Sequence, residues 1–411
     1  MKIAILTLGC KTNQSESLHI EKYALSQGNE IVPLKDQPDL CIINTCSVTS
    51  KADYQSRQLI NRALKESKNI IVTGCYAQLN KELLLKNSRL KFIDNKSKDE
   101  LKNYLNNKEL NHLNKLIELS RTRPIIKIQE GCNNNCSYCS IIYSRGRARS
   151  REVISIINDI NDYSMLGYKE IVLTGTNIGQ YGIDLKGNIN LKTLLYEILE
   201  KTNISRVRLS SIEINYIDSE FINIIKNNKI CKHLHIPLQS ADNNILKSMN
   251  RPYTIEEFSD KIISIKENMD DISIGSDVIV GYPLETDNEF NNTYNFLQEF
   301  PFSYFHVFKY SKRANTLSSQ YSIRSSFKEI DYRSKRLINL SKNKKRDFIS
   351  SQIGKINEII IEDKEKDFLF GTSSNYIKTY ISEKHTYKPK DLVKIRFISF
   401  HRDIVLSEPI I

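Results

Sequence analysis

No stretch of this sequence stays apolar for the roughly 18 residues that a helix needs to cross a bilayer. No membrane partner is therefore expected. The start, MKIAILTLGC, has a basic residue, a short apolar run and a cysteine, the ingredients of a lipoprotein signal. Its apolar run is about half the usual length, and no small-residue cleavage site follows. A first buried β-strand and a cytoplasmic location are expected instead. Cysteine is scarce, with eight in 411 residues. In a reducing compartment, closely spaced cysteines are more often metal ligands or catalytic groups than disulfides.

Acidic charge is in short supply, which leaves a net charge of +12. The excess is concentrated. Residues 301–350 hold twelve Lys/Arg against three acids, residues 121–151 hold seven against one, and the remaining chain is near neutral. Positive charge gathered in this way points to a polyanionic partner, most simply nucleic acid, with a merely solvated basic helix as the alternative. A chain of this length carries two or three domains.

Three segments in the first 80 residues, KIAILTLGC, DLCIINTC and NIIVTGC, are β-branched apolar runs that end in Cys10, Cys46 and Cys75. Helix-like stretches separate them at about the period of a βαβ unit. This alternation predicts a Rossmann-like parallel sheet, whose ligand-binding edge lies at the carboxyl ends of the strands. All three thiols would meet on that rim. Cys41, earlier on its strand, reads as a small core residue. From IIKIQEGC onward six further strand patterns alternate with helices, as in a full or partial (β/α) barrel. After Gln352, strands follow one another without helices, as in a small closed all-β barrel. The fold class is thus α/β with an all-β end, and the expected domains are 1–115, 118–345 and 346–411.

GCNNNCSYC places Cys132, Cys136 and Cys139 within eight residues. Zinc prefers four ligands, usually as paired CxxC motifs, and no fourth is nearby. A redox pair would use CSYC alone and leave Cys132 unexplained. A four-iron cluster held by three thiolates leaves one iron open to a small molecule. The CxxxCxxC spacing, with aromatic Tyr138 before the last cysteine, resembles the radical S-adenosylmethionine superfamily.

Over nearly its whole length the chain resembles the methylthiotransferases of that superfamily. The motifs are LGCKTNQSES, INTCSVTSKAD and VTGCYAQ in the first domain. IQEGCNNNCSYCSIIYSRGRARSR, VLTGTNIGQYG, RLSSIE and HIPLQSADNNILKSMNR follow in the second, and the last segment resembles the TRAM barrel. The resemblance implies two 4Fe-4S clusters, one on Cys132, Cys136 and Cys139 and an auxiliary one on Cys10, Cys46 and Cys75. It also implies S-adenosylmethionine as methyl donor and radical source. GCKTNQSES looks most like the branch that acts on C2 of N6-threonylcarbamoyladenosine at position 37 of tRNA; the isopentenyladenosine branch usually reads GCQMN there. Ala241, Leu284 and the KRANT segment depart from the family's usual glycines and KRPGT.

The resemblance further implies cofactor contacts from Tyr138 near the adenine, from Thr174 and Gly175, and from Ser211, Glu213 and Gln239, while Asp277 in GSD also suits a helix cap or turn. Arg145, Arg147, Arg149 and Arg151 would meet phosphates of the anticodon loop, with a loop that packs on neighbouring acids as the alternative. Lys344, Lys345 and Arg346 would carry much of the salt dependence of binding, and Tyr376 and Phe400 would offer stacking platforms. A monomer served by a reducing donor such as flavodoxin or ferredoxin is expected. The competing readings are an isopentenyladenosine methylthiotransferase and a non-enzymatic iron–sulfur sensor that binds RNA.

Overall fold

Apolar β-branched runs become the central strands of the first domain, where both faces are covered. The computed structural model describes residues 1–106, 121–382 and 386–410. Strands β1 (Lys2–Thr7), β2 (Glu30–Ile31), β3 (Leu40–Thr45), β4 (Asn69–Gly74) and β5 (Leu90–Phe92) form a parallel sheet in the order β2-β1-β3-β4-β5. Every residue of β3 is buried, and Cys41 lies in the core as expected. The polar helical pattern near residue 100 begins as a short helix, Lys102–Leu105; its remainder and the 115/118 boundary fall outside the described residues.

The second domain contains all six expected strands: β6 (Ile125–Lys127), then, after a short antiparallel ribbon of β7 (Gln129–Glu130) and β8 (Arg149–Ser150), β9 (Glu170–Thr174), β10 (Arg206–Leu209), β11 (His233–His235), β12 (Ser273–Val280) and β13 (Tyr304–Lys309). Two parallel sheets, β10-β9-β6 and β11-β12-β13, join through a bridge between Val207 and Ile230. The result is a half-open barrel in the order β6-β9-β10-β11-β12-β13. Its helices cover the outside with apolar stripes such as Leu194, Leu195 and Ile198. Four of the helix starts are fixed by capping boxes, at Asn190, Thr254, Thr286 and Ser326.

The first domain stands across the open side of this barrel. On one edge the Ser15 hydroxyl, in helix Lys11–Ser26, donates to the Ile125 carbonyl of β6 at 2.7 Å and accepts from the Lys127 amide at 3.0 Å. Beyond the other edge Ser50 bonds Ser311, and Asp53 pairs with Arg313. The third domain is a closed barrel, β14 (Ile356–Glu365), β15 (Phe368–Ser373), β16 (Lys378–Ser382), β17 (Leu392–His401) and β18 (Ile404–Pro409), in the order β14-β15-β16-β18-β17. The expected boundary at 345/346 falls inside one continuous helix, Phe327–Ser350, which packs along β13. The composition changes there, but the helix has no breaker, so the small barrel starts only after Gly354, at positive φ.

Candidate active site between two cysteine trios

β1, β3 and β4 are neighbours in the sheet, and Cys10, Cys46 and Cys75 follow their carboxyl ends. Cys46 and Cys75 are buried and Cys10 is exposed. Gly9 holds φ +103, and a Cβ there would come within 2.7 Å of the Cys46 sulfur. Only glycine lets the first strand turn so close to the second thiol. Burial pushes the Cys46 thiol up to about 11, against the Val48 amide, and the neighbouring Cys10 and Cys75 add to the push.

The other trio lies in the loop closed by the β7–β8 ribbon. Burial raises the Cys132 and Cys136 thiols and takes Cys139 to about 12. Donors surround these sulfurs. The Asn134 amide is 3.4 Å from Cys132 Sγ and Asn177 Nδ2 is 3.8 Å away, while Arg251 Nη1 is 3.5 Å from Cys136 Sγ. Arg251 also pairs with Glu213. Asn177 Oδ1 and Ser210 Oγ, at the ends of β9 and β10, are buried without a hydrogen-bond partner among the described residues. Three thiols with cationic and amide donors, beside unsatisfied polar atoms, fit a cluster with a polar cofactor alongside it. Glu213 came from the sequence; Asn177 and Arg251 did not, although both lie in the quoted motifs GTNIG and SMNR.

Tyr138 is partly buried against Ile245, Met249 and Tyr282. Thr174 is buried at the end of β9, and Gly175 lies so near Gln129 that a Cβ would meet its carbonyl at 2.9 Å. Ser211 is exposed, and Gln239 is buried with φ +71. A cavity of about 170 Å³ lies between the first two domains, lined by Val48 and Thr49 on one side and by Tyr138, Gln239, Asp277 and Phe308 on the other. The family departures are accommodated: Ala241 and Leu284 do not have positive φ, and Asn315 of KRANT, at φ +66, is a residue that tolerates that region.

The basic run after the cysteine loop divides between its two sequence readings. Arg145 is buried, not free for phosphate. Its Nη1 donates to Glu16 at 2.7 Å and to Glu130 at 2.8 Å, its Nη2 bonds Asn13, and its Nε is 3.2 Å from Cys75 Sγ. A five-residue helix, Ile141–Arg145, ends at Gly146 and turns this one arginine inward. Burial alone would raise the Glu16 carboxyl. Lys98, Arg145 and Lys127 outweigh it and hold the group well below the usual carboxylate range. Arg151 pairs with Asp159 at 2.8 Å, and Arg149 reaches Glu130 at 3.8 Å. Arg147 is exposed and has no side-chain partner among the described residues. On the long helix, Lys344 donates to the Phe300 carbonyl, Arg346 pairs with Asp403, and Lys345 is exposed. Tyr376 stacks on His233 at 4.4 Å, and Phe400 packs into the small barrel's core, so neither is a wholly free platform.

The inner wall of the large barrel is polar. His235 Nε2 lies 2.9 Å and His306 Nδ1 3.2 Å from Asp277 Oδ1, and Tyr304 hydroxyl reaches His233 Nε2 at 2.8 Å. Gly275 makes room, since a Cβ there would overlap the Tyr304 ring. Burial raises Asp277, but the bonds from His235 and His306 outweigh it and hold its carboxyl low. Deeper in, Glu170 takes Arg206 and Arg208 together. The two guanidiniums continue to backbone carbonyls of the small barrel, at Glu358, Thr372, Ser373 and Ser374.

Two family models match the chain. Residues 126–297 match the radical SAM superfamily, and residues 2–93 match an uncharacterized protein family, UPF0004. A threonylcarbamoyladenosine tRNA methylthiotransferase MtaB of Aquifex aeolicus is 38% identical, covering 88% of this chain and 93% of the relative. The Bacillus subtilis protein of that name is 36% identical, covering 92% and 89%. A tRNA-2-methylthio-N(6)-dimethylallyladenosine synthase of Thermosipho africanus is 33% identical over 96% of each. Among solved structures, the radical S-adenosylmethionine methyltransferase TsrM of Kitasatospora setae shares the fold at TM-score 0.55 and 12% identity, covering 74% of this chain and 72% of that one. The chain therefore belongs to the radical S-adenosylmethionine methylthiotransferase family, an enzyme family whose radical chemistry implies a 4Fe-4S cluster and S-adenosylmethionine.

Proposed function

We propose that this enzyme converts the C2–H bond of N6-threonylcarbamoyladenosine at position 37 of tRNA into C2–SCH3. A 4Fe-4S cluster on Cys132, Cys136 and Cys139 would supply the electron that cleaves S-adenosylmethionine to a 5′-deoxyadenosyl radical, and one on Cys10, Cys46 and Cys75 would carry sulfur for methylation and transfer. The observation that carries the two-trio reading is Arg145. Six residues after Cys139, it donates to Cys75 Sγ at 3.2 Å, which supports the reading that the two thiol sets serve one site. Glu213 and Arg251 orient the cysteine loop, while Asn177 and Ser210 offer polar atoms to the methionyl or ribose groups. Tyr138 and Gln239, with Val48 and Thr49, wall the cavity and keep water from a reactive intermediate. Arg147 and Lys345 meet the anticodon loop, and a low-potential donor such as flavodoxin or ferredoxin reduces the monomeric enzyme.

The threonylcarbamoyl substrate is supported by the relatives at 38% and 36% identity and by the GCKTN segment. The dimethylallyl substrate is a second reading, supported by the relative that matches 96% of the chain. Mass spectrometry of tRNA nucleosides from a strain lacking the gene separates them. Loss of the methylthio-threonylcarbamoyl nucleoside is expected; loss of the methylthio-isopentenyl nucleoside alone would overturn the proposal.

A further inference from the structure

The helix that follows Cys10 starts with Lys11, and this side chain enters the polar corner where the large barrel meets the small one. Its Nζ lies 5.8 Å from the Tyr376 ring centroid, and Arg208 Cζ lies 5.3 Å from the same ring. Four cations crowd the corner: Lys11, Arg123, Arg206 and Arg208. Two acids answer them. Glu170 takes Arg206 and Arg208 and lies 3.7 Å from Arg123, which pairs with Glu362 at 3.1 Å. Lys11 is left over. It is half-buried and forms no hydrogen bond or ion pair with the described residues. A second atom here also lacks a partner: His233 is 2% exposed, stacks on Tyr376 and meets Tyr304 through Nε2, but its Nδ1 has no hydrogen-bond partner among the described residues. A surplus ammonium and an orphaned imidazole nitrogen beside the barrel's inner wall are a receptor for an anion with further polar atoms.

We infer that Lys11 binds the carboxylate of the threonylcarbamoyl substituent and so selects the acidic modified base over the apolar isopentenyl one. The inference rests on the proposed function and goes beyond it by assigning the discriminating residue. The substituent is the charged part of the base and the isopentenyl group has no acceptor, so the same lysine that attracts one leaves itself unpaired against the other. A tRNA phosphate shares the anionic chemistry, and the experiment separates the two sources.

The test uses full-length reconstituted enzyme and two tRNAs, one with the natural substituent and one with its carboxylate masked as the methyl amide. Iron content is measured for every variant, so a lost cluster is seen. Wild type is expected to lose about 10- to 100-fold in kcat/KM on masking, the size of a charge-assisted hydrogen bond. Lys11→Gln is expected to handle the two tRNAs alike, and Lys11→Arg to recover part of the preference for the acid. The inference is overturned if Lys11→Gln, with its iron intact, still prefers the acid as strongly as wild type. It is also overturned if KM rises equally for both tRNAs, which would put a backbone phosphate on Lys11. A wild type that methylthiolates isopentenyl tRNA and ignores the threonylcarbamoyl tRNA sinks the parent proposal, a result no Lys11 variant would imitate.

Discussion

Glu16 and Arg145 show how much of this site depends on single buried charges. Glu16 faces three cations, Lys98, Lys127 and Arg145, and Glu130 shares the last two. Removing the acid leaves three cations, the buried Arg145 and the partly buried Lys98 and Lys127, against one carboxylate. Removing the arginine leaves two against two. Glu16→Gln should therefore destabilise the protein by about 3–5 kcal/mol, and Arg145→Gln by about 1–3 kcal/mol. Urea midpoints of the two variants check the order, and a larger loss for Arg145→Gln would contradict the charge accounting. The sequence showed both residues without their roles. Arg145 opens an Arg-x-Arg alternation that reads as a run of phosphate contacts or of pairs with nearby acids, and nothing local reveals that Gly146 turns the first arginine inward. The cysteines were legible because a β-branched run ending in a thiol fixes both the strand and the rim position.

At the scale of elements, the junction between the two barrels depends on Glu170. Burial alone would raise its carboxyl, but Arg206, Arg208 and Arg123 outweigh burial and hold it far below the usual range. With the folded value depressed, its stabilisation is fully present above the unfolded pKa of about 4.3 and fades as pH falls toward the folded one. Glu170→Gln should thus cost about 3–5 kcal/mol at neutral pH. Its deficit against wild type should shrink below about pH 4, as paired denaturation curves would show; a pH-independent gap would contradict the ion-pair role. The long helix Phe327–Ser350 permits a second prediction. Lys344 and Arg346 are already engaged, whereas Lys342 and Lys345 are exposed. Neutralising that exposed pair should reduce the slope of log K against log salt for tRNA by about 1.4, and the engaged pair should change it less. The six strands of the large barrel were readable from their apolar runs. The two-residue strands β2, β7 and β8 were not, because register with a neighbour, rather than local composition, makes them strands.

Across the whole molecule, the first domain spans the open side of the barrel and touches both of its edges, an arrangement no single segment encodes. Each trio nevertheless draws its three thiols from one domain: Cys10, Cys46 and Cys75 from the parallel sheet, and Cys132, Cys136 and Cys139 from one ribbon-closed loop. Contacts across the boundary, such as Arg145 to Cys75, orient the two sets but do not complete either. The trios should therefore load independently. Anaerobically reconstituted wild type should hold about eight irons per chain. Replacing Cys10, Cys46 and Cys75 with alanine should leave about four, and cleavage of S-adenosylmethionine to 5′-deoxyadenosine should persist without methylthiolation. Replacing Cys132, Cys136 and Cys139 should also leave about four irons but abolish cleavage. If either triple variant lost all of its iron while its circular dichroism stayed native, the trios would share one centre, and the division of labour between radical generation and sulfur delivery would have no structural basis.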